Sequence, residues 1–581
     1  MTILECISSF DVETRKGFNF RQVADSLKSS VDQKNERPEL KYEMLAMTLV
    51  PTQSETPWGF YFGPILTLRD KDGNPIYIPA LEEITPEAVM YWEGRARASK
   101  NPLLKARYAG LVWDFKKKIV RKPQEDWMYK LYVDSMLRIC KEDYCSHPVL
   151  TVNVLERLFE LTKKNPAYLQ QTKEAYKNFE NRHAKDDKVR IWSSRFLLMI
   201  ENKKSFTDEE KEALVNEHEE RLLRLYSPDE NNRLNPWTIQ DQATLLAKYY
   251  SSLQKKEDIV RVLNIVEKAF LHERNNMSAI QLMGNLENVR QKYHRYGIED
   301  NWDRLSVQMQ NLGTRVIEED MDVYQTEIKI PQEFYDWVEQ NIGEKVVSDK
   351  ERWDNFAAFF IPSKSGEENS LKKLMERHPL RFLMGSYQMD SKGHLMSYIG
   401  PPKDNLKDSL ILFMSEKLSL PFISIAIDSL LTTKTLTTDK VMSSMIMLSP
   451  IFDKDRYDFI REAIEFFVDR KYTLFCHLIV PQIETAIRNI VQKSGYPIEK
   501  VQRDDKGYQL RTLDDLLREE CIEKIFTPDG ALYMQLVLTN QKALNIRNNL
   551  CHGILPPKYF DDIVAARLFH VLVMLGLVRN E

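Results

Sequence analysis

The segment Asn545-Ile546-Arg547-Asn548-Asn549-Leu550-Cys551-His552-Gly553 holds the residues in this chain best suited to chemistry. Arg547 offers a permanent planar charge with forked donors, and His552 can move a proton near neutral pH. That pair suits a phosphate. RNA carries its own nucleophile, the 2′-hydroxyl. Removing its proton and stabilising the five-coordinate phosphate would cut the strand without a metal. Asn548 can tie down the motif or a phosphate oxygen. The same residues also have plain structural roles. Arg547 fits a buried cation paired to a carboxylate, and Asn548 and His552 fit hydrogen-bonders at a helix end.

A second group lies upstream. Glu484 and Arg488 are spaced i, i+4, and His477 is seven residues before Glu484, so all three share one helix strip. Phe475, Ile479, Ile483 and Ile487 lie beside it. Glu484 either pairs with Arg488 alone or orients Arg547 or His552. Elsewhere the chemistry-bearing patterns are absent. There is no GxxxxGK[ST] loop, no GxGxxG, no CxxC, and His218-Glu219 leads to Leu222 rather than a second histidine. Cys140, Cys145 and His147 lack a fourth ligand nearby and read as residues of a helical core. Asp322, Glu327 and Lys329 resemble the carboxylate–lysine pattern of metal-dependent nucleases, without a sheet to hold it. His147, His378 and His570 read as structural. Neither a metal nor a cofactor is expected.

The motif needs a helix that ends on time. Leu532, Leu536, Ala543, Leu544 and Leu550 predict one helix over Ala531–Leu550. Five residues turn about 500°, leaving Arg547 and His552 about 140° apart in a straight helix. They can meet only if the helix stops at His552, which Gly553 and Pro556-Pro557 predict. The region 449–581 reads as a bundle of four or five helices: Tyr457–Gln492, Leu513–Ile525, Ala531–Leu550 and Tyr559–Leu577, with a polar loop over Lys493–Gln509.

Upstream, 1–120 reads as mixed, with a hairpin around Asp72-Gly73-Asn74 and a helix opened by Thr85-Pro86-Glu87. Residues 121–330 read as helical hairpins stacked in an irregular solenoid. Their apolar faces include Val152, Leu155, Leu158, Phe159 and Leu161, then Ile259, Val262, Leu263, Val266 and Ala269. Polar turns fall at Ser227-Pro228-Asp229 and Asn235-Pro236. A boundary is expected over Tyr324–Pro331. Residues 331–448 follow, with a hairpin in which Arg381–Met389 and His394–Ile399 flank Asp390-Ser391-Lys392-Gly393, and helices from about Asn405. The fold class expected is mainly α.

Composition narrows the function. The 581 residues are 43% hydrophobic, which excludes a disordered or fibrous chain. Lys and Arg number 82 against 86 Asp and Glu, so the surface is no basic sleeve for nucleic acid. In 449–581 the balance is 18 against 19, which implies a selective RNA contact rather than broad attraction. Six scattered cysteines form no secreted disulfide framework. The N-terminus has early acids and no signal-like apolar run. The stretch Ala565–Val578 is too short for a bilayer and carries Arg567 and His570. A cytoplasmic protein without a membrane partner is expected.

The run Arg547-Asn548-Asn549-Leu550-Cys551-His552 resembles the signature of the HEPN superfamily: arginine, a polar residue, then histidine after a short gap. The segment Cys476–Val491, with Glu484 and Arg488, is similar to the first helix of one prokaryotic branch. That branch often carries the domain after a long helical N-terminal region. The segment Trp92–Phe115 also resembles the N-terminal part of such proteins. The resemblance implies a C-terminal helical bundle and a metal-independent endoribonuclease acting in phage defence or as a toxin. It implies an active site across a symmetric homodimer, with Arg547, Asn548 and His552 catalytic and Glu484, Arg488 and His477 supporting. The partners implied are RNA, a second copy through the C-terminal bundle, and a phage trigger or an inhibitor protein. Some members have lost catalysis. The alternative is therefore a helical scaffold that uses the bundle for dimerisation or for nucleotide or RNA binding.

Overall fold

A computed structural model describes residues 2–30, 38–52, 57–70, 74–227, 234–322, 327–390, 393, 395–402, 404–502 and 507–580. The protein is mainly α, and its described strands form four two-stranded antiparallel ladders. It divides into two compact units: Met1–Met277 with Gly284–Leu305, and Ser278–Met283 with Ser306–Glu581.

In the first unit the expected hairpin pairs Leu66–Arg69 with Pro75–Ile78. Asp72 and Gly73 of its turn lie outside the described residues. A second ladder joins Val50–Pro51 to Phe62–Gly63. Thr85 caps the helix Pro86–Ala98 by accepting the Ala88 N–H, with proline in the first turn. Asn101 does the same for Pro102–Phe115. The helical faces anticipated around Val152 and Ile259 are buried, except that Leu161 is only partly so. His147 caps Pro148–Thr162, its Nδ1 accepting the Val149 N–H at 3.2 Å. Asn235 caps Pro236–Ser251. Pro228 and Asp229 of the other anticipated turn lie outside the described residues.

The second unit has one hydrophobic core running from Phe334 to Leu575, across position 449. The helix Asp562–Gly576 is the reason. Every residue from Ala565 to Gly576 is buried, so it needs neighbours on all sides. Phe569 packs on Trp353 and Phe356 from one side and stacks on Phe467 from another. Arg567 donates to the Leu418 carbonyl at 3.0 Å. Leu406–Thr432 has the length and mean hydropathy (1.7) of a membrane span. It is two helices, Leu406–Leu418 and Phe422–Thr432, that place Leu410, Met414, Ile423, Ile427 and Leu430 in this core. The hairpin Ser386–Met389 with Leu395–Ile399 forms, though Ser391, Lys392 and His394 lie outside the described residues. So do Tyr324, Gln325 and Thr326 of the expected boundary.

Several expected helices divide. Tyr457–Gln492 is Tyr457–Val468 and Tyr472–Lys493, separated at Arg470, whose φ is +61°. The polar loop holds a small ladder, Glu499–Val501 with Tyr508–Leu510. Leu513–Leu517 precedes Glu520–Leu538, which is kinked at Thr527 (φ 64°, ψ 161°) before Pro528. The helix expected over Ala531–Leu550 stops at Leu538 instead, and a separate helix, Ile546–Cys551, carries the motif. The Asn540 side chain accepts the Lys542 N–H at 2.9 Å, and that Asx turn ends the helix.

His570 shows how tightly this core is closed. Its Nε2 donates to the Ala357 carbonyl (3.1 Å), so Nδ1 accepts from the Tyr533 hydroxyl (2.8 Å). Burial first, then the nearby Arg567, push its pKa down to about 3. The unfolded chain takes up this proton near pH 6.5, so the contribution is complete above that pH and is lost as pH falls toward 3. Between pH 7 and 5 His570 should cost the wild type about 2 kcal/mol of stability, a loss that His570→Gln avoids. Urea denaturation of both proteins at the two pH values checks this. Equal losses would contradict a neutral, buried His570.

Candidate functional site

The motif helix Ile546–Cys551 is only six residues long, and its ends explain its position. At its start Asn545 adopts a left-handed conformation (φ 49°, ψ 36°), which asparagine tolerates better than most residues. Asn545 Oδ1 accepts Asn548 Nδ2 at 2.7 Å, and Asn548 Nδ2 also approaches the Thr539 carbonyl at 3.4 Å. Asn549 Nδ2 donates to the Leu544 carbonyl at 3.0 Å. At its end His552 is the C-cap and Gly553 is left-handed (φ 61°). The Gly553 N–H bonds Leu550 O (3.2 Å) and the Ile554 N–H bonds Asn549 O (2.9 Å), a closure of Schellman type. The helix therefore stops where the sequence requires.

Arg547 is held from two sides. Its Nε donates to Glu484 Oε2 at 3.0 Å, and its Nη1 donates to Asn548 Oδ1 at 3.2 Å. The other oxygen of Glu484 accepts Arg488 Nη2 at 2.9 Å. Arg488 Nη1 reaches the Arg511 carbonyl at 3.3 Å. One carboxylate thus faces two guanidiniums, and the local charge stays positive. The Arg547 and Glu484 side chains are 25% and 18% exposed, open enough to reach solvent and closed enough to be fixed. Arg547 Nη2 has no protein partner among the described residues. That edge can take an anionic oxygen in a planar, charge-assisted bond.

The structure brings Glu484, Arg488, Arg547 and Asn548 into one network. His552 is exposed at the C-cap of the short helix that carries Arg547, and its ring has no protein partner among the described residues. His477 stands apart. Its Nδ1 bonds the Thr473 carbonyl (2.7 Å) and its ring packs edge-on against Phe560. Among the described residues no contact joins it to the arginine network, although it shares the helix Tyr472–Lys493. Pro481, one turn on, lies between His477 and Glu484 in that helix.

The motif turn is anchored by residues that no motif in the sequence marks. Lys542 pairs with Asp408 and so holds that carboxyl below the usual carboxylate range. The Lys542 carbonyl accepts Gln388 Nε2 at 3.1 Å. Thr539 Oγ1 donates to Asp514 Oδ1 at 2.9 Å. Asn540 and Asn545, both residues that favour turns, could have signalled a break in the helix expected over Ala531–Leu550, while Asp408 and Gln388 carry no such signal. Among the described residues no group of three or more His, Cys, Asp or Glu could hold a metal ion.

Asn545→Ala removes an acceptor from Asn548 and places alanine at a left-handed position, so it should cost about 2 kcal/mol. Asn545→Gly removes only the hydrogen bond and should cost about 1 kcal/mol. Chemical denaturation of the two variants checks the order, and an alanine variant as stable as the glycine one would contradict it. In comparisons with known proteins, no family model, no curated protein and no solved structure matches this chain.

Proposed function

We propose that this chain is a metal-independent endoribonuclease that works as a homodimer with Arg547 and His552 at its centre. The observation that carries the reading is the clamp on Arg547. Glu484 and Asn548 fix its plane, Nη2 is left without a protein partner among the described residues, and the exposed His552 caps the helix that carries Arg547. A fixed guanidinium with a free edge is suited to a phosphate whose charge grows during reaction. His552 takes the 2′-hydroxyl proton, and the oxygen then attacks the adjacent phosphorus in line with the departing 5′-oxygen. Arg547 holds the non-bridging oxygens. In a two-fold dimer the second His552 returns a proton to the 5′-oxygen, which a single copy does not supply. Asn548 is a positioning residue, since both ends of its amide are engaged within the turn. Glu484 and Arg488 position Arg547 from the neighbouring helix.

A second reading keeps the same geometry without catalysis. It is favoured by the absence, among the described residues, of any contact between Arg547 and His552. In that case the bundle is a scaffold that dimerises or binds RNA, and Glu484 with its two arginines is a joint between helices. The role in phage defence, a trigger and an inhibitor protein belong to the proposal through the resemblance alone.

Cleavage of RNA in the presence of EDTA separates the two readings. Arg547→Ala and His552→Ala should each lower the rate about 100-fold or more while the protein stays folded. Glu484→Gln keeps the shape and loses the charge, and should lower the rate about tenfold. Light scattering should give twice the 68.4 kDa chain mass. Wild-type rates in the variants, loss of activity in EDTA, or a strict monomer would each overturn the proposal.

A further inference from the structure

The first unit contains a cavity of about 310 Å³ that the ribonuclease reading does not use. It is lined mainly by apolar side chains, among them Met47, Leu49, Leu103, Met136 and Ile139. Its volume lies at the lower end of the range that holds small ligands. Into this lining the fold sets one buried charge, Arg107, which is 4% exposed; the lining's other arginine, Arg21, is exposed and lies 4.0 Å from Asp25. A buried cation ordinarily has a carboxylate beside it. Among the described residues Arg107 has none. The nearby Asp114 is already occupied, by Arg157 at 2.7 Å and by the Phe62 N–H at 3.0 Å.

Arg107 is fixed with care nonetheless. Its Nε donates to the Ala46 carbonyl at 2.6 Å and its Nη2 to the Leu49 carbonyl. Both carbonyls lie at the C-terminal end of the helix Pro38–Thr48, whose dipole offsets about half a charge. The rings of Phe20 and Phe62 lie 4.6 and 4.8 Å from its guanidinium carbon. Cation–π contact stabilises the charge further without neutralising it. Nη1 has no protein partner among the described residues. Burial lowers the pKa only to about 10, so the group is a cation at neutral pH. A fixed, buried cation with an unused donor in an apolar cavity is half of a charge-assisted pair.

We propose that this cavity binds a small amphipathic carboxylate. Its apolar body lies among Met47, Leu49, Leu103, Met136 and Ile139, and its carboxylate meets Arg107. The lining also includes two exposed apolar side chains, Ile65 and Leu150, which suit the entry of an apolar tail. The site is independent of the ribonuclease proposal, since none of its residues belongs to the Arg547 network.

The test compares three ten-carbon probes on the full-length chain by isothermal titration calorimetry: sodium decanoate, decan-1-ol and decylamine. Decanoate should bind one saturable site at least about tenfold more tightly than decanol, and decylamine more weakly than either. Ile65→Glu puts a negative charge on an exposed lining residue without disturbing the core. It should weaken decanoate at least about fivefold and leave decanol nearly unchanged. Arg107→Met should abolish the preference for decanoate over decanol. Because that change also releases two backbone carbonyls and can unfold the unit, the head-group comparison and Ile65→Glu carry the test. No saturable decanoate binding below about 1 mM, equal affinity for decanoate and decanol, or an unchanged decanoate affinity in Ile65→Glu would overturn the proposal.

Discussion

The Glu484 carboxylate is the constraint on which the candidate site depends. It stands on the long helix Tyr472–Lys493 and divides its two oxygens between Arg488 of the same helix and Arg547 of the motif helix. A partly buried carboxylate between two guanidiniums has little freedom, because each oxygen already has a charged partner. The motif helix is six residues long and has little stability of its own. Its orientation comes from this carboxylate on one side and from the Asn545–Asn548 bond on the other.

That arrangement needs the rest of the second unit around it. The helix Asp562–Gly576 is buried on all faces from Ala565 onward and draws in Trp353, Phe356 and Ile427 as well as residues of the last region. Residues 331–448 therefore share the bundle's core. They also reach the motif turn, through Asp408 on Lys542 and Gln388 on the Lys542 carbonyl. A helix buried on all sides cannot be satisfied by a minimal bundle. Residues 331–448 supply that burial, and their helix Leu406–Leu418 and strand Ser386–Met389 brace the turn from which Arg547 projects.

Much of this was legible in the sequence for physical reasons. Thr85-Pro86, Asn235-Pro236 and Gly553 marked helix ends because capping and left-handed geometry are local properties. The i, i+4 spacing of Glu484 and Arg488 correctly placed them together. The helix drawn through Ala531–Leu550 failed because its apolar periodicity continues across the break. Leu536, Leu544 and Leu550 keep a near-helical spacing, while Asn540 folds back on Lys542 and Asn545 turns left-handed. Asp408 and Gln388 were not legible at all, since each lies more than a hundred residues from the turn it braces. His477 shares the strip of Glu484 in the sequence, but its ring turns to Phe560 and to its own helix backbone.

In the proposed reaction the substrate supplies the nucleophile. The most direct measurement uses two RNA strands of one sequence, one wholly ribose and one with a single 2′-deoxy sugar at the mapped cleavage position, both digested in EDTA. With 2′-hydroxyl attack, the ribose strand yields a 2′,3′-cyclic phosphate and a 5′-hydroxyl, and the substituted strand stays intact at that position. Cleavage of the substituted strand at an equal rate, or products ending in a 5′-phosphate, would contradict the account.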